Sequence, residues 1–258
     1  MMQTGRLLAI TKYSVLEALR DRFLHLIFAG FLIFFLSSIF VGELAITETL
    51  QTQVSIFAFL LRLFCVFTLS LFVITSMIRQ FNDKGFELIL SQPIPRYIYL
   101  FGKLFGYLVI AIFMSFACFV CLLAYADMLS SAMWSVSLLC ELLLFLTLCV
   151  LCVFTLESVT LAFSVVIGFY ALSRSIEIIQ LISDSPILES VDLSHRFIDW
   201  GIDILAYVIP SLHRFTQTEW LAYGIQADRD YIYILIQTFI YTILIFLAAL
   251  YDLYRKEL

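Results

Sequence analysis

Four charged residues sit where a chain this apolar should carry none, and they are the first candidates for chemistry. Arg62, Glu141, Arg174 and Glu177 fall inside long hydrophobic runs, where one Arg or Asp at the centre of a membrane helix costs about 2.5–3.5 kcal/mol on insertion scales. Charges kept at that cost either pair with one another or line a polar path. Arg174 and Glu177 are spaced i, i+3 and so share a helix face, and all four map to the same outer half of the predicted membrane. The expectation is one ion-pair cluster linking three spans, with a substrate path or outer gate as the other reading.

Other chemistry is sparse. The sequence has no GxxxxGK[ST], HExxH or GxSxG pattern, so it offers neither a nucleotide-phosphate cradle nor those hydrolytic signatures. Of the three histidines, His25 is predicted on the opposite membrane face from His195 and His213. His195 and His213 with Asp192 or Asp199 are the one combination with metal-ligand or lipid-acting enzyme chemistry, and neither a metal site nor enzymatic activity is expected. The pairs Cys118/Cys121 and Cys149/Cys152 imitate a CxxC…CxxC metal pattern, but they fall at different depths of neighbouring spans. These cysteines read as small hydrophobes in helix interfaces.

The elements that must hold these residues are membrane helices. Of the 258 residues, 63% are hydrophobic and 14% charged, far from the roughly 45–50% and about 25% of soluble domains. Continuous runs, not alternating ones, favour helices over a barrel. Six spans are predicted, at roughly 25–43, 53–77, 101–125, 135–156, 160–182 and 231–253, each long enough for a hydrocarbon layer of about 30 Å. The predicted fold is therefore all-α, a single transmembrane domain over 1–258. No cleavable leader is expected, because the first apolar run starts behind a charged segment and lacks a small-residue cleavage site.

Basic residues orient the spans, since they resist translocation. Arg6, Lys12, Arg20, Arg22, Arg79, Lys84, Arg96, Lys103, Arg255 and Lys256 flank one side, against Arg196, Arg214 and Arg229 on the other. Both termini and the 78–100 connection are thus predicted cytoplasmic. Residues 1–24 form an amphipathic interfacial helix with Leu8, Val15, Leu16, Leu19 and Phe23 on one side and Arg6, Glu17, Arg20 and Asp21 on the other. The 183–230 loop carries the acidic excess of the chain. It is too apolar for a free loop, so short helices dipping into the outer leaflet are expected before the last span. Glu157, in a tight turn between spans four and five, either touches a partner or caps span five.

The most distinctive stretch is polar: Ile78-Arg79-Gln80-Phe81-Asn82-Asp83-Lys84-Gly85-Phe86-Glu87-Leu88-Ile89-Leu90-Ser91-Gln92-Pro93-Ile94-Pro95-Arg96, running on to Gly102-Lys103. A short charged helix, a proline-stiffened exit and a return into the membrane form a surface suited to a cytosolic partner. Gly102 and Gly106 add a GxxxG at the entrance of span three, a pattern that permits close helix approach.

This segment resembles the permease subunits of ATP-binding-cassette type 2 (ABC-2-like) exporters, in which an acidic helix reads E-x-G-T-x-E-x-L-L-S-x-P-x-S-R before a Gly-Lys. Lys84-Gly85-Phe86-Glu87 matches the Gly-x-Glu part and Leu90-Ser91-Gln92-Pro93 the Leu-Ser-x-Pro part, while Pro95-Arg96 replaces Ser-Arg and the usual first Glu is absent. Tyr207-Val208-Ile209-Pro210-Ser211-Leu212-His213-Arg214-Phe215 is similar to the proline-centred re-entrant segment of those permeases. The resemblance implies a multi-pass subunit of the bacterial cytoplasmic (inner) membrane that exports substrate without ATPase motifs of its own. Two cytoplasmic ABC ATPase subunits would supply ATP and Mg, so this chain needs no cofactor. A second, identical permease chain, membrane lipid and a periplasmic accessory protein are the other implied partners, with no nucleic acid. It implies that 79–98 couples to the ATPase through Arg79, Phe81, Asp83, Lys84, Phe86, Glu87, Pro93, Pro95 and Arg96, and that Tyr207, Pro210 and Phe215 mark the re-entrant segment. The alternative is a self-sufficient secondary transporter or channel using Arg62, Glu141, Arg174 and Glu177.

Overall fold

The computed structural model describes residues 2–21, 23–44, 49–82, 95–183, 201, 209–222, 224 and 228–255. Among them the long elements are helices: α1 (Met2–Arg20), α2 (Phe23–Leu44), α3 (Thr49–Asn82), α4 (Arg96–Leu122), α5 (Met128–Leu156) and α6 (Val159–Ser183). A 3-10 turn (Leu212–Arg214), the short α7 (Glu219–Ala222) and the long α8 (Asp228–Arg255) follow. Among the described residues five helices are long and apolar enough to cross a membrane, and α1 with α2, bent 57° to each other, makes a sixth if the pair is one span. The chain is a polytopic, all-helical membrane protein.

Depth of burial explains the order of the helices. α5 is central, packing against α3, α4, α6 and α8, and its residues Leu142 to Val150 are nearly all buried apart from Leu143. A helix apolar all round belongs inside a bundle or in lipid, and α5 takes the inner place. α6 and α8 are peripheral. Ile232, Ile236, Phe239, Ile243 and Leu247 of α8 and Leu161, Val165 and Leu172 of α6 face outward, as helices solvated by acyl chains do.

Five of the six predicted spans fall within a helix, whereas the third, 101–125, runs three residues past the end of α4 at Leu122; most of the helices are longer than the spans. α3 has 34 residues, about 51 Å at 1.5 Å per residue, against a hydrocarbon layer of about 30 Å. Its last turn carries Arg79 and Phe81, so these residues continue the second span without a break. Glu157 ends α5 with φ 54°, the left-handed conformation common just past a helix C-terminus. Between α6 and α8 lie the 3-10 turn and α7, and Ile209, Leu212, Phe215, Trp220 and Leu221 are buried there.

The GxxxG of α4 is occupied by α1. A Cβ on Gly106 would lie 2.5 Å from Ser14 Cβ, and one on Gly102 2.9 Å from Ile10 Cβ. The Thr11 hydroxyl donates to the Gly102 carbonyl at 3.1 Å across this contact. Gly106→Val should therefore push α1 away and cost about 1–3 kcal/mol, the usual range for overpacking. Gly168→Ala on α6, where a Cβ meets nothing within 4 Å, should cost nothing. Thermal unfolding of the detergent-solubilised variants checks both, and equal midpoints for the two would refute the packing argument.

Candidate functional site

Two polar clusters are built along α3, one near its middle at Arg62 and one in its last turns at Arg79. Arg62 and Arg79 are 17 residues apart on this helix, about 26 Å along its axis.

At the Arg79 end the centre is Glu17 of α1. Its Oε1 accepts from the Ser76 hydroxyl at 2.8 Å and from Arg79 Nη2 at 2.9 Å, and its Oε2 accepts from Gln80 Nε2 at 3.0 Å. Lys103 Nζ lies 3.5 Å from the same Oε2. Arg79 also reaches Asp21 at 2.9 Å, Tyr107 shares a 3.1 Å hydrogen bond with Ser76, and the Tyr99 hydroxyl donates to Gln80 Oε1. Helices α1, α3 and α4 thus meet on one carboxylate. Lys103 is 1% exposed, and its ammonium lies between the rings of Tyr13 and Tyr107, 5.6 and 5.5 Å from their centroids, a favourable setting for a desolvated cation. Arg79 is half exposed and faces a cleft of about 790 Å³ walled by Tyr13, Leu16, Glu17, Arg20, Asp21 and Gln80, among others. Glu17 thus faces inward, away from Leu8, Leu16 and Leu19 of its own helix, which are exposed.

At the Arg62 cluster the centre is Thr216. Its N–H donates to Ser137 Oγ at 3.0 Å, and its hydroxyl donates to Glu141 Oε2 at 3.1 Å. Arg62 Nη1 donates to both its carbonyl and its hydroxyl oxygen at 3.3 Å. Arg174 Nη1 donates to the carbonyls of Leu212 and, at 3.1 Å, Phe215. α3, α5 and α6 therefore clamp one short strap, residues 211–216. Thr216 has φ 46°, a conformation costing a non-glycine residue about 1–3 kcal/mol unless its surroundings impose it. Here three helices do.

The expected ion-pair cluster is corrected accordingly. Among the described residues no direct ion pair joins Arg62 or Arg174 to Glu141. Thr216 bridges Arg62 to Glu141, because its carbonyl and hydroxyl bond the buried charges while also fixing the strap. Arg174 donates to strap carbonyls, and the side chain of Glu177 lies outside the described residues.

The chain matches no protein-family model and no curated protein. Its site must be argued from its own geometry.

Of the residues expected to meet an ATPase, Asp83, Lys84, Phe86, Glu87 and Pro93 lie outside the described residues. Those described face the bundle in part: Phe81 packs edge-on to Phe154 of α5 at 5.8 Å, and Pro95 precedes the first turn of α4. Arg96 Nη1 donates at 2.9 Å to the Leu253 carbonyl, near the C-terminus of α8, where a cation is favoured. Of the strap markers, Pro210 and Phe215 are buried and Tyr207 lies outside the described residues. Ser211 donates to Gln237 Oε1 at 3.0 Å, tying the strap to α8 as well. His213 sits beside Arg214, whereas His195, Asp192 and Asp199 lie outside the described residues. Cysteines meet across helices, Cys65 and Cys118 lying 3.5 Å apart, instead of within the CxxC spacings. Among the described residues no group of three His, Cys, Asp or Glu could hold a metal ion.

Sequence reasoning passed over Glu17, Lys103 and Thr216 as centres. Lys103 alone left a signal, a lysine one residue inside a GxxxG, where a helix approaching that closely leaves it little access to water.

Proposed function

We propose that the chain is the transmembrane subunit of an ATP-binding-cassette type 2 exporter, driven by a separate nucleotide-binding subunit. The observation that carries this reading is the anchoring of both borders of the 83–94 segment. On its N-terminal side Arg79 is tied to Glu17 and Asp21 of α1, and on its C-terminal side Arg96 is tied to the end of α8. A push on a segment held this way is passed to α1, α3, α4 and α8 together, which is what coupling to an ATPase requires. In this reading Arg79, Phe81 and Arg96 are anchors, and the partner is met by Asp83, Lys84, Phe86 and Glu87, with Pro93 and Pro95 stiffening the exit.

In this reading the Glu17 end lies in the cytoplasm and the strap outside, an orientation that the basic flanks support. Two such chains with two ATPase chains make the working assembly, in a bacterial inner membrane. The competing reading, a self-sufficient transporter using the Arg62 cluster, is disfavoured because Arg62, Glu141 and Arg174 are engaged in holding the strap.

Purification of the tagged chain in gentle detergent tests the proposal. A P-loop ATPase should co-purify in equal amount, and Glu87→Ala should weaken its association about tenfold or more, as loss of a central interface contact does. A stable preparation without ATPase, together with transport by the chain alone in vesicles, would sink the reading.

A further inference from the structure

The strap cluster has more hydrogen-bonding capacity than the protein fills. Arg62 Nε, Glu141 Oε1, Ser173 Oγ and Trp134 Nε1 are all buried without a hydrogen-bond partner among the described protein atoms, and their residues are at most 4% exposed. Trp134, Ser137 and Glu141 follow one face of α5 at i, i+3, i+7. Arg62 enters from α3 and meets Glu141 through Thr216, and Arg174 reaches the same strap from α6. Arg62, Glu141 and the strap form a polar seam between these helices. Beside it the Tyr170 ring meets Phe67 and Phe145 edge-on, both at 5.4 Å, and its hydroxyl is a further buried oxygen without a hydrogen-bond partner among the described protein atoms.

We propose that this seam binds ordered water between α3, α5 and α6, a hydration site inside the membrane domain. The donor set decides the ligand. Glu141 Oε1 needs a donor, whereas Arg62 Nε and Trp134 Nε1 need acceptors. A halide or other bare anion cannot donate to the carboxylate, and a metal cation cannot accept from the guanidinium. Water does both, and buried water characteristically makes two to four such bonds. In hydrocarbon the alternative is several unpaired polar groups, each costly. Water at Arg62 and Glu141 would also let the strap exchange its bonds to these residues without leaving a bare charge. The inference stands on the seam alone and does not need the exporter reading.

Radiolytic hydroxyl-radical labelling of the purified full chain tests it, because radicals made from bound water modify the side chains beside it even when they are buried. Trp134 and Tyr170 should be labelled at least tenfold faster than Met114, which is fully buried in the core and intrinsically more reactive than either ring. The double variant Arg62→Met/Glu141→Leu, which removes both charges, should lower Tyr170 labelling about tenfold while the chain stays folded. Labelling of Trp134 and Tyr170 no faster than Met114 would mean a dry seam closed by direct Arg62–Glu141 contact. Undiminished Tyr170 labelling in the double variant would assign it to bulk solvent. Either result overturns the proposal.

Discussion

Glu17→Ala is expected to destabilise the folded chain by about 3–5 kcal/mol, the cost of stranding one partner of a buried ion pair. Most of that loss belongs to Lys103. The ammonium is 1% exposed, and without Glu17 it keeps only the two tyrosine faces. Arg79 contributes less, because it is half exposed, still has Asp21, and exposed pairs are worth about 0–1 kcal/mol. The double variant Glu17→Ala/Lys103→Met should recover most of the stability, since an uncharged side chain of similar length removes the stranded cation. Thermal midpoints of the four proteins of this cycle, read in one detergent, give the coupling energy. A single variant within about 0.5 kcal/mol of the parent, the range of an unremarkable surface change, would show that Glu17 does not hold α1 to the bundle. The same variant should also make α1 more sensitive to protease, because its contact with α4 loses its ion pair and keeps the Gly102–Gly106 surface and the Tyr13 face of Lys103.

Arg62→Ala should release the strap. The guanidinium holds the Thr216 carbonyl and hydroxyl, and its loss leaves Glu141 buried with Thr216 alone as an opposing donor. An effect of about 3–5 kcal/mol follows from the same rule of a stranded buried charge. The strained Thr216 backbone then has less to hold it, so the segment should relax toward ordinary φ values. Arg62→Lys should restore only part, since an ammonium cannot place planar paired donors as a guanidinium does. A cysteine at Ser211, in a background lacking the six native cysteines, reports the release: its modification by a membrane-impermeant reagent should rise about tenfold in Arg62→Ala. An unchanged rate would show that Arg174, Ser137 and Glu141 suffice to clamp the strap. Thr216→Gly is the useful companion. It removes the backbone strain and the hydroxyl together, so faster modification there as well would locate the clamp in side-chain bonding.

The two clusters share one rigid element. Because α3 is continuous from Thr49 to Asn82, a movement imposed near Arg79 is carried about 26 Å to Arg62 with little loss, provided the core between them, with Cys65, Leu69, Val73 and Met77 fully or almost fully buried, does not deform. The pairs that tie α8 into the bundle, Thr155 with Asp252 at 2.8 Å and Arg96 with Leu253, lie at the Arg79 end, and the Ser211–Gln237 bond lies at the strap end. α8 is therefore positioned to follow both clusters.

The sequence by itself determined the class and the placing of the helices. Runs such as Phe23–Leu44 and Leu142–Val150 have nowhere to go but a bilayer or the centre of a bundle, because the hydrophobic effect acts on composition regardless of partners. It also marked Arg62, Glu141 and Arg174 as belonging together, since a charge in an apolar run carries its cost wherever the neighbours lie. Tertiary structure decided what those charges hold. Nothing in Phe215-Thr216-Gln217 announces a left-handed threonine, because that conformation is imposed by three helices distant in sequence and not by local preference. Likewise Glu17 reads as one more polar residue on an amphipathic helix until Gly102 and Gly106 let α4 approach, and only that approach brings Lys103 to it. Hydrophobic burial is additive along the chain and so can be read from it. Polar partnership depends on donors and acceptors meeting within about 3 Å, and only the folded chain sets those distances.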